Sequence, residues 1–284
     1  MKADIKKISF DDGGFPALLK EIPGAPRMLY FLGVLPKKEE KLVAIVGTRK
    51  ATAEGKLLAK NIGKELAAEG VVIVSGLALG IDAAAHEGAL VAGGKTIAVL
   101  ANGLDKIYPA TNENLGKRII ESDGVIFSEY SAGTPALPHQ FLERNRIVSG
   151  LSIATIVIEA PIHSGALVTA KNAIDQGREV FVFPGPANHP NFQGSHMLIR
   201  NGARLVTNAS DILEDLGLEP TTKKTENLTD EGKIIIEVLK INKTLTIDKI
   251  IEATKLETHK VSEELTYLSL SGMIEEKNGK FYLK

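Results

Sequence analysis

Residues 42–70 read LVAIVGTRKATAEGKLLAKNIGKELAAEG, and this stretch decides the fold. LVAIVG (42–47) is an unbroken apolar run that reads as a buried strand closed by glycine, and a helical pattern follows it. The same alternation repeats downstream. VVIVS (71–75) precedes a helix from about Asp82 to Val91, and TIAVLA (96–101) precedes one across 112–121. GVIFS (124–128) leads through a Pro-rich connection to HQFLERNRIVSG (139–150). ATIVIEA (154–160) precedes a helix from about Gly165 to Gln176, then come EVFVFPG (179–185) and the amphipathic SHMLIRNGARLV. Near-continuous apolar strands alternating with amphipathic helices predict an α/β fold, an extended Rossmann-like doubly wound, mostly parallel sheet covered on both faces.

Outward from this core, residues 1–40 read as a lead-in segment packed on a main domain at 41–219. The polar PTTKKTENLTDEG (220–232) reads as a linker, centred on 220–230. Residues 231–284 then give three helices and IEEKNGKFYL, a hairpin turning at Asn278-Gly279. That order predicts a small C-terminal winged-helix domain. It carries nine Lys and nine Asp plus Glu, a zero net charge unlike that of a strongly DNA-gripping wing.

Composition narrows the chemistry. The 284 residues are 44% hydrophobic, enough for a sizeable core. The chain has no cysteine, which excludes a disulfide framework, a thiolate zinc site and a Cys nucleophile, and suits a reducing cytoplasm. No signal-peptide core and no run of about 18 apolar residues occurs, so a soluble chain with no membrane insertion is expected. The net charge is −1, so a polyanion must be met by a local patch. Aromatics make up 5% with no Trp, which leaves room for a single well-placed ring and not for a stacking surface.

Three loops share one chemistry at the carboxyl edge of the predicted sheet, where such folds bind ligands. GTRKAT (47–52), SGLALGID (75–82) and HSGALVTA (163–170) each set Gly beside Ser or Thr just before a helix. Free N–H groups and the helix dipole there favour an anion. None matches the Walker A or dinucleotide spacing, and each could be a simple strand-to-helix turn; their convergence on one edge favours an anion site. Arg49 adds a planar fork suited to phosphate. Arg144 and Arg146, two residues apart, diverge by about 200° on a helix, so one faces the cleft while the other pairs with Glu143 or Glu129. Phe141 shares a face with Arg144, and two readings stand: a platform for a base, or a hydrophobic staple at the helix start. No nucleophile–base pair stands out. His86 follows Asp82 by one helical turn, a spacing that can be purely structural, and His163, Glu129 and Glu159 are loosely placed. Neither a catalytic residue, a metal nor a cofactor is expected.

The motifs VAIVGTRKAT, IVSGLALGIDAAAHEGAL, IYPATN, FSEY, FLERNRIVSGLS, IEAPIHSGALVTAKNA and FPGPANHPNFQGSHMLIRNGA run in order from about residue 43 to 203. Together they resemble the DNA-processing protein A family (DprA, also called Smf). The resemblance implies a non-enzymatic, usually homodimeric protein that binds single-stranded DNA. It also implies protection of incoming strands in natural transformation, loading of RecA recombinase, and displacement of single-strand-binding protein. Carried over by motif, Gly47, Thr48 and Arg49 form a phosphate loop, and Phe141 stacks on a base, with His139, Gln140, Arg144, Asn145 and Arg146 around it. Ser75, Gly76 and Gly80, with Ser164, Gly165 and Lys171, supply further wall. Many relatives carry a sterile-alpha-motif-like domain ahead of the core, whereas about 40 residues precede the first strand read here. Many also have Pro at the position of Leu142 and Asn at that of His196. The competing reading is a nucleotide-binding or nucleotide-hydrolysing Rossmann-like enzyme, whose PGGxGTxxE motif is absent: FPGPANHPNFQG keeps only the Pro-Gly.

Overall fold

The computed structural model describes residues 5–218, 229–271, 273–277 and 279–283. It divides into two compact units, 1–220 and 221–284. The first is built on a nine-stranded sheet. β1 (Lys6–Ser9), the short helix α1 (Ala17–Lys20) and β2 (Met28–Gly33) come first, then β3 (Leu42–Val46), α2 (Ala53–Ala68) and β4 (Val72–Ser75). α3 (Ile81–Val91), β5 (Thr96–Leu100), α4 (Glu113–Glu121), β6 (Val125–Ser128) and α5 (Pro138–Gly150) follow. β7 (Ala154–Val157), α6 (Gly165–Asp175), β8 (Glu179–Val182), α7 (Gln193–Arg200), β9 (Arg204–Leu205) and α8 (Ala209–Asp215) complete it.

The strand order is β1-β2-β6-β5-β4-β3-β7-β8-β9. From β6 to β9 every pairing is parallel, which accounts for the unbroken apolar runs: both faces are covered. Successive residues of β3 feed opposite cores. Leu42, Ala44 and Val46 pack with Ile147 and Val148 of α5 and Ala170 of α6. Val43 and Ile45 pack with Ile62 and Leu66 of α2 and Ala85 of α3. Full burial of a side chain such as Ile45 is worth about 1.5–3 kcal/mol, so the alternation fixes strand position and helix placement together.

The expectation that the first strand begins near residue 42 is corrected. β2 pairs antiparallel with β6, with Phe31 opposite Phe127, and β1 pairs antiparallel with β2. The lead-in therefore extends the sheet. Its Pro- and Gly-flanked segments conceal a strand whose partner lies almost a hundred residues on, and the lysines of β1 suit an exposed edge.

The second unit holds α9 (Asp230–Asn242), β10 (Thr244–Leu245), α10 (Ile247–Thr254), α11 (Thr258–Leu270), β11 (Ile274–Lys277) and β12 (Lys280–Leu283). Its core joins Ile235 and Leu239 of α9, Ile250 of α10, and Val261, Leu265 and Leu268 of α11. β10 pairs with β12 and makes a third strand, too short to leave a periodic signal in sequence. The expected linker lies outside the described residues except for Thr229 and Asp230, which open α9; the Thr229 hydroxyl accepts from the Gly232 amide at 2.9 Å. Asn278 of the expected turn is also outside them. Among the described residues, no helix is long and apolar enough to cross a membrane.

Candidate functional site

β3 sits between β4 and β7, and the chain leaves β3 toward one side of the sheet and β7 toward the other. Ligands of doubly wound sheets bind at such a switch point, outside the carboxyl ends of the strands. A cavity of about 640 Å³ lies there.

One wall is the loop after β3. Its position is fixed by Glu159, fully buried just beyond β7: Thr48 N donates to the Glu159 carbonyl at 2.8 Å, and the Thr52 hydroxyl donates to Oε1 at 2.5 Å. Asn191 Nδ2 donates to Oε2 at 2.8 Å. Thr52 also caps α2 by accepting from Gly55 N. Thus anchored, Gly47, Thr48, Arg49 and Lys50 line the cavity, with both cations exposed. A second wall is the start of α6, where Ser164 accepts from Ala166 N at 3.2 Å and caps the helix. Ser164 and Gly165 both line the cavity.

The floor belongs to α5. Arg144 is 4% exposed, donates through Nη1 to the Val99 carbonyl, and leaves Nε without a partner. Burial lowers this guanidinium to about 10, while the Asp82 charge acts in the opposite sense. Asp82, also buried and on the cavity wall, accepts from Gly76 N at 3.1 Å. Burial pushes its carboxyl up against the pull of Arg144. Gly76 leaves room for the Arg144 guanidinium, which a Cβ there would displace from its present place. Asn145 lines the cavity too, and its amide donates to the Gly165 carbonyl at 3.1 Å, tying α5 to α6.

Phe141 stands one helical turn before Arg144 and faces the same cavity. The Arg49 guanidinium lies over its ring, 4.8 Å from the centroid. Phe141 is partly exposed, and the Tyr108 ring approaches its ring at 5.7 Å between centroids. Arg146 points elsewhere: Nη2 bonds both Glu129 oxygens at 2.7 Å, as the angle between neighbouring arginines requires. Glu143 instead accepts from the Tyr130 hydroxyl.

Other residues expected at the site do not line it. Ser75 is buried and donates to the Ile45 carbonyl at 2.7 Å. Gly80, at φ 81°, packs against the Thr48–Arg49 backbone, where any Cβ would clash. Gln140 is buried and accepts from Leu137 N at 2.7 Å at the start of α5. His139 and Lys171 are exposed and outside the cavity lining. Sequence reading missed Lys50, Asp82 and Tyr108 as lining residues. Lys50 adjoins Arg49 in the first loop, and Tyr108 lies in IYPATN, so both had a motif to mark them. His86 does not pair with Asp82: it is buried and bonds the Thr96 hydroxyl at 2.6 Å. Among the described residues no group of three or more His, Asp or Glu could hold a metal ion.

Fold and pocket together define a Rossmann-like domain whose cavity sets exposed cations beside an aromatic ring, with a winged-helix unit in the same chain. The profile of the DNA recombination-mediator protein A family matches residues 6–217, and that of the DprA winged helix domain matches residues 211–280. The chain belongs to this family. Protein Smf of Synechocystis is 36% identical, over 96% of this chain and 78% of its own. The crystal structure of DNA processing protein A from Streptococcus pneumoniae superposes with a TM-score of 0.71 at 40% identity, over 75% of this chain and 74% of its own. That of Helicobacter pylori, described for its single-stranded DNA binding mode, gives 0.66 at 32% identity, over 76% and 98%.

Proposed function

We propose that the cavity at the β3/β7 edge binds single-stranded DNA without chemical transformation. The observation that carries this is the Arg49 guanidinium resting on the Phe141 ring above the buried Arg144. A base stacked on Phe141 leaves its phosphate within reach of Arg49, Lys50 and the amides at the start of α6, the combination a flexible single strand needs. Duplex DNA keeps its bases stacked inside and cannot offer one to a ring set beside a narrow pocket. The single-stranded DNA binding of the Helicobacter pylori relative supports the same reading.

Family membership extends the proposal. The chain would act as a homodimer in the cytoplasm, protect incoming strands in natural transformation, load RecA onto them, and displace single-strand-binding protein. The test is fluorescence anisotropy with a labelled single-stranded oligonucleotide against a matched duplex, over a salt series. Salt-dependent binding that prefers the single strand is expected, weakened by Arg49→Ala and by Phe141→Ala. Equal binding of duplex would overturn the single-strand reading, and release of free base from a nucleotide would replace it with the nucleotide enzyme.

A further inference from the structure

Tyr108 shares the cavity with Phe141 but is not part of α5 or of the three glycine loops. The residue is 48% exposed, and its ring centroid lies 5.7 Å from that of Phe141 with the planes inclined by 55°. Among the described residues its hydroxyl meets no hydrogen-bond partner and its one ring contact is Phe141. In a chain that is 5% aromatic and lacks Trp, two partly open rings side by side on one pocket are a large share of what could stack on a base.

The loop that carries Tyr108 is held on both sides. Asn102 Nδ2 donates to the Lys106 carbonyl at 2.7 Å, and Asn112 Nδ2 donates to the Leu77 and Ala78 carbonyls at 2.8 and 3.2 Å. The IYPATN segment is thereby fastened to the loop after β4, and the ring is presented without needing to be recruited from solvent. Leu142, 51% exposed, continues the apolar rim at the cavity lining. An apolar rim around a cationic floor matches a strand whose phosphates turn inward while its bases lie on the mouth.

We propose that Tyr108 is a second base platform, which receives the base of the nucleotide next to the one stacked on Phe141. This rests on the reading of the cavity as a single-strand site. The two rings lie on planes too steeply inclined for one continuous base stack, so the adjacent bases are splayed apart and each lies on its own ring. The smallest complete ligand is then a dinucleotide of any sequence, because every base has a face to stack.

The experiment is displacement of a labelled oligonucleotide by four ligands: thymidine monophosphate, the 5′-phosphorylated thymidine dinucleotide, and that dinucleotide with one or the other base removed. For the unaltered protein the dinucleotide is expected to bind about tenfold more tightly than the monophosphate, and removal of one base to abolish the gain. Tyr108→Ala should bring the ratio of dinucleotide to monophosphate affinity down toward one, while Tyr108→Phe should keep the ratio. A Tyr108→Ala protein that retains the gain would overturn the proposal. So would one that weakens both ligands equally, since Tyr108 would then only support Phe141. If Arg49→Ala and Phe141→Ala also leave every affinity unchanged, the cavity itself is misread and the second platform falls with it.

Discussion

Two parts of this chain have the architecture of nucleic-acid modules, and they handle charge in opposite ways. At the β3/β7 edge of the first unit, Arg49 and Lys50 are exposed beside a buried Arg144, and the buried carboxyl on that wall is pushed toward its neutral form. On α11 of the winged helix, Lys260 is bound to Glu231 at 2.7 Å, and Glu263 shares the outward surface. One region concentrates cations beside a cavity; in the other, Lys260 is held by a neighbouring carboxylate and the unit as a whole is charge-balanced. A winged helix supplies the shape that fits a groove, but the charge that grips it is a separate property.

Replacing Arg144 by Ala should have the largest effect. It removes the cation opposite the buried Asp82, a loss of about 3–5 kcal/mol in urea unfolding. Because burial raises Asp82 above its ordinary value, that loss should shrink as the pH falls and Asp82 takes a proton. The next contrast is between histidines. His86 is fully buried, and burial lowers its imidazole to about 3, whereas His259 on α11 is exposed. The neutral His86 ring favours the folded state fully above the ordinary value of 6.5. That contribution drains away as pH falls toward 3, by on the order of 4 kcal/mol, with Asp82 opposing it in part. Unfolding free energies measured across this window should fall steeply for the unaltered chain and less steeply for His86→Gln; equal slopes would break the contrast.

Smaller effects separate the two modules as binding surfaces. Arg49→Ala should cost about 1.5–3 kcal/mol of single-strand affinity and lower the salt slope by about 0.7. Phe141→Ala should cost about 1–3 kcal/mol and leave the slope unchanged, since it removes stacking and no phosphate contact. Lys260→Ala should leave single-strand affinity and its salt slope nearly unchanged, because the ammonium is already held by a surface carboxylate. A larger loss at Lys260 than at Arg49 would invert the comparison.

The parallel core was legible because each buried strand writes a continuous apolar run and each covering helix a periodic one. β1 and β2 were not, since their meaning depends on pairing with β6, a long-range contact that leaves no local mark. At the site, the opposed directions of Arg144 and Arg146 followed from helical angle, and Glu129 was among the partners expected of the outward one. What sequence could not show is which polar atoms the scaffold itself consumes. Ser75 and Gln140 sit in the right segments, yet their side chains are occupied by the backbone of Ile45 and Leu137. Tyr108 lies in a motif the sequence displays, but its place at the cavity depends on Asn102 and Asn112, whose amides hold its loop.

The anchoring of the Arg49 loop by Glu159 also bears on when the site comes into being. Thr52 and Glu159 are 107 residues apart in sequence, and β7, the strand just before the carboxylate, is the fifth of the parallel core to be synthesised. Closure of so long a span is slow compared with forming a hairpin or helix. A nascent chain that has released Arg49, the loop after β4 and even Phe141 therefore still lacks the clamp that fixes the first wall. Until β7 stands beside β3, the loop that carries Arg49 lacks the contacts that Glu159 makes to Thr48 and Thr52.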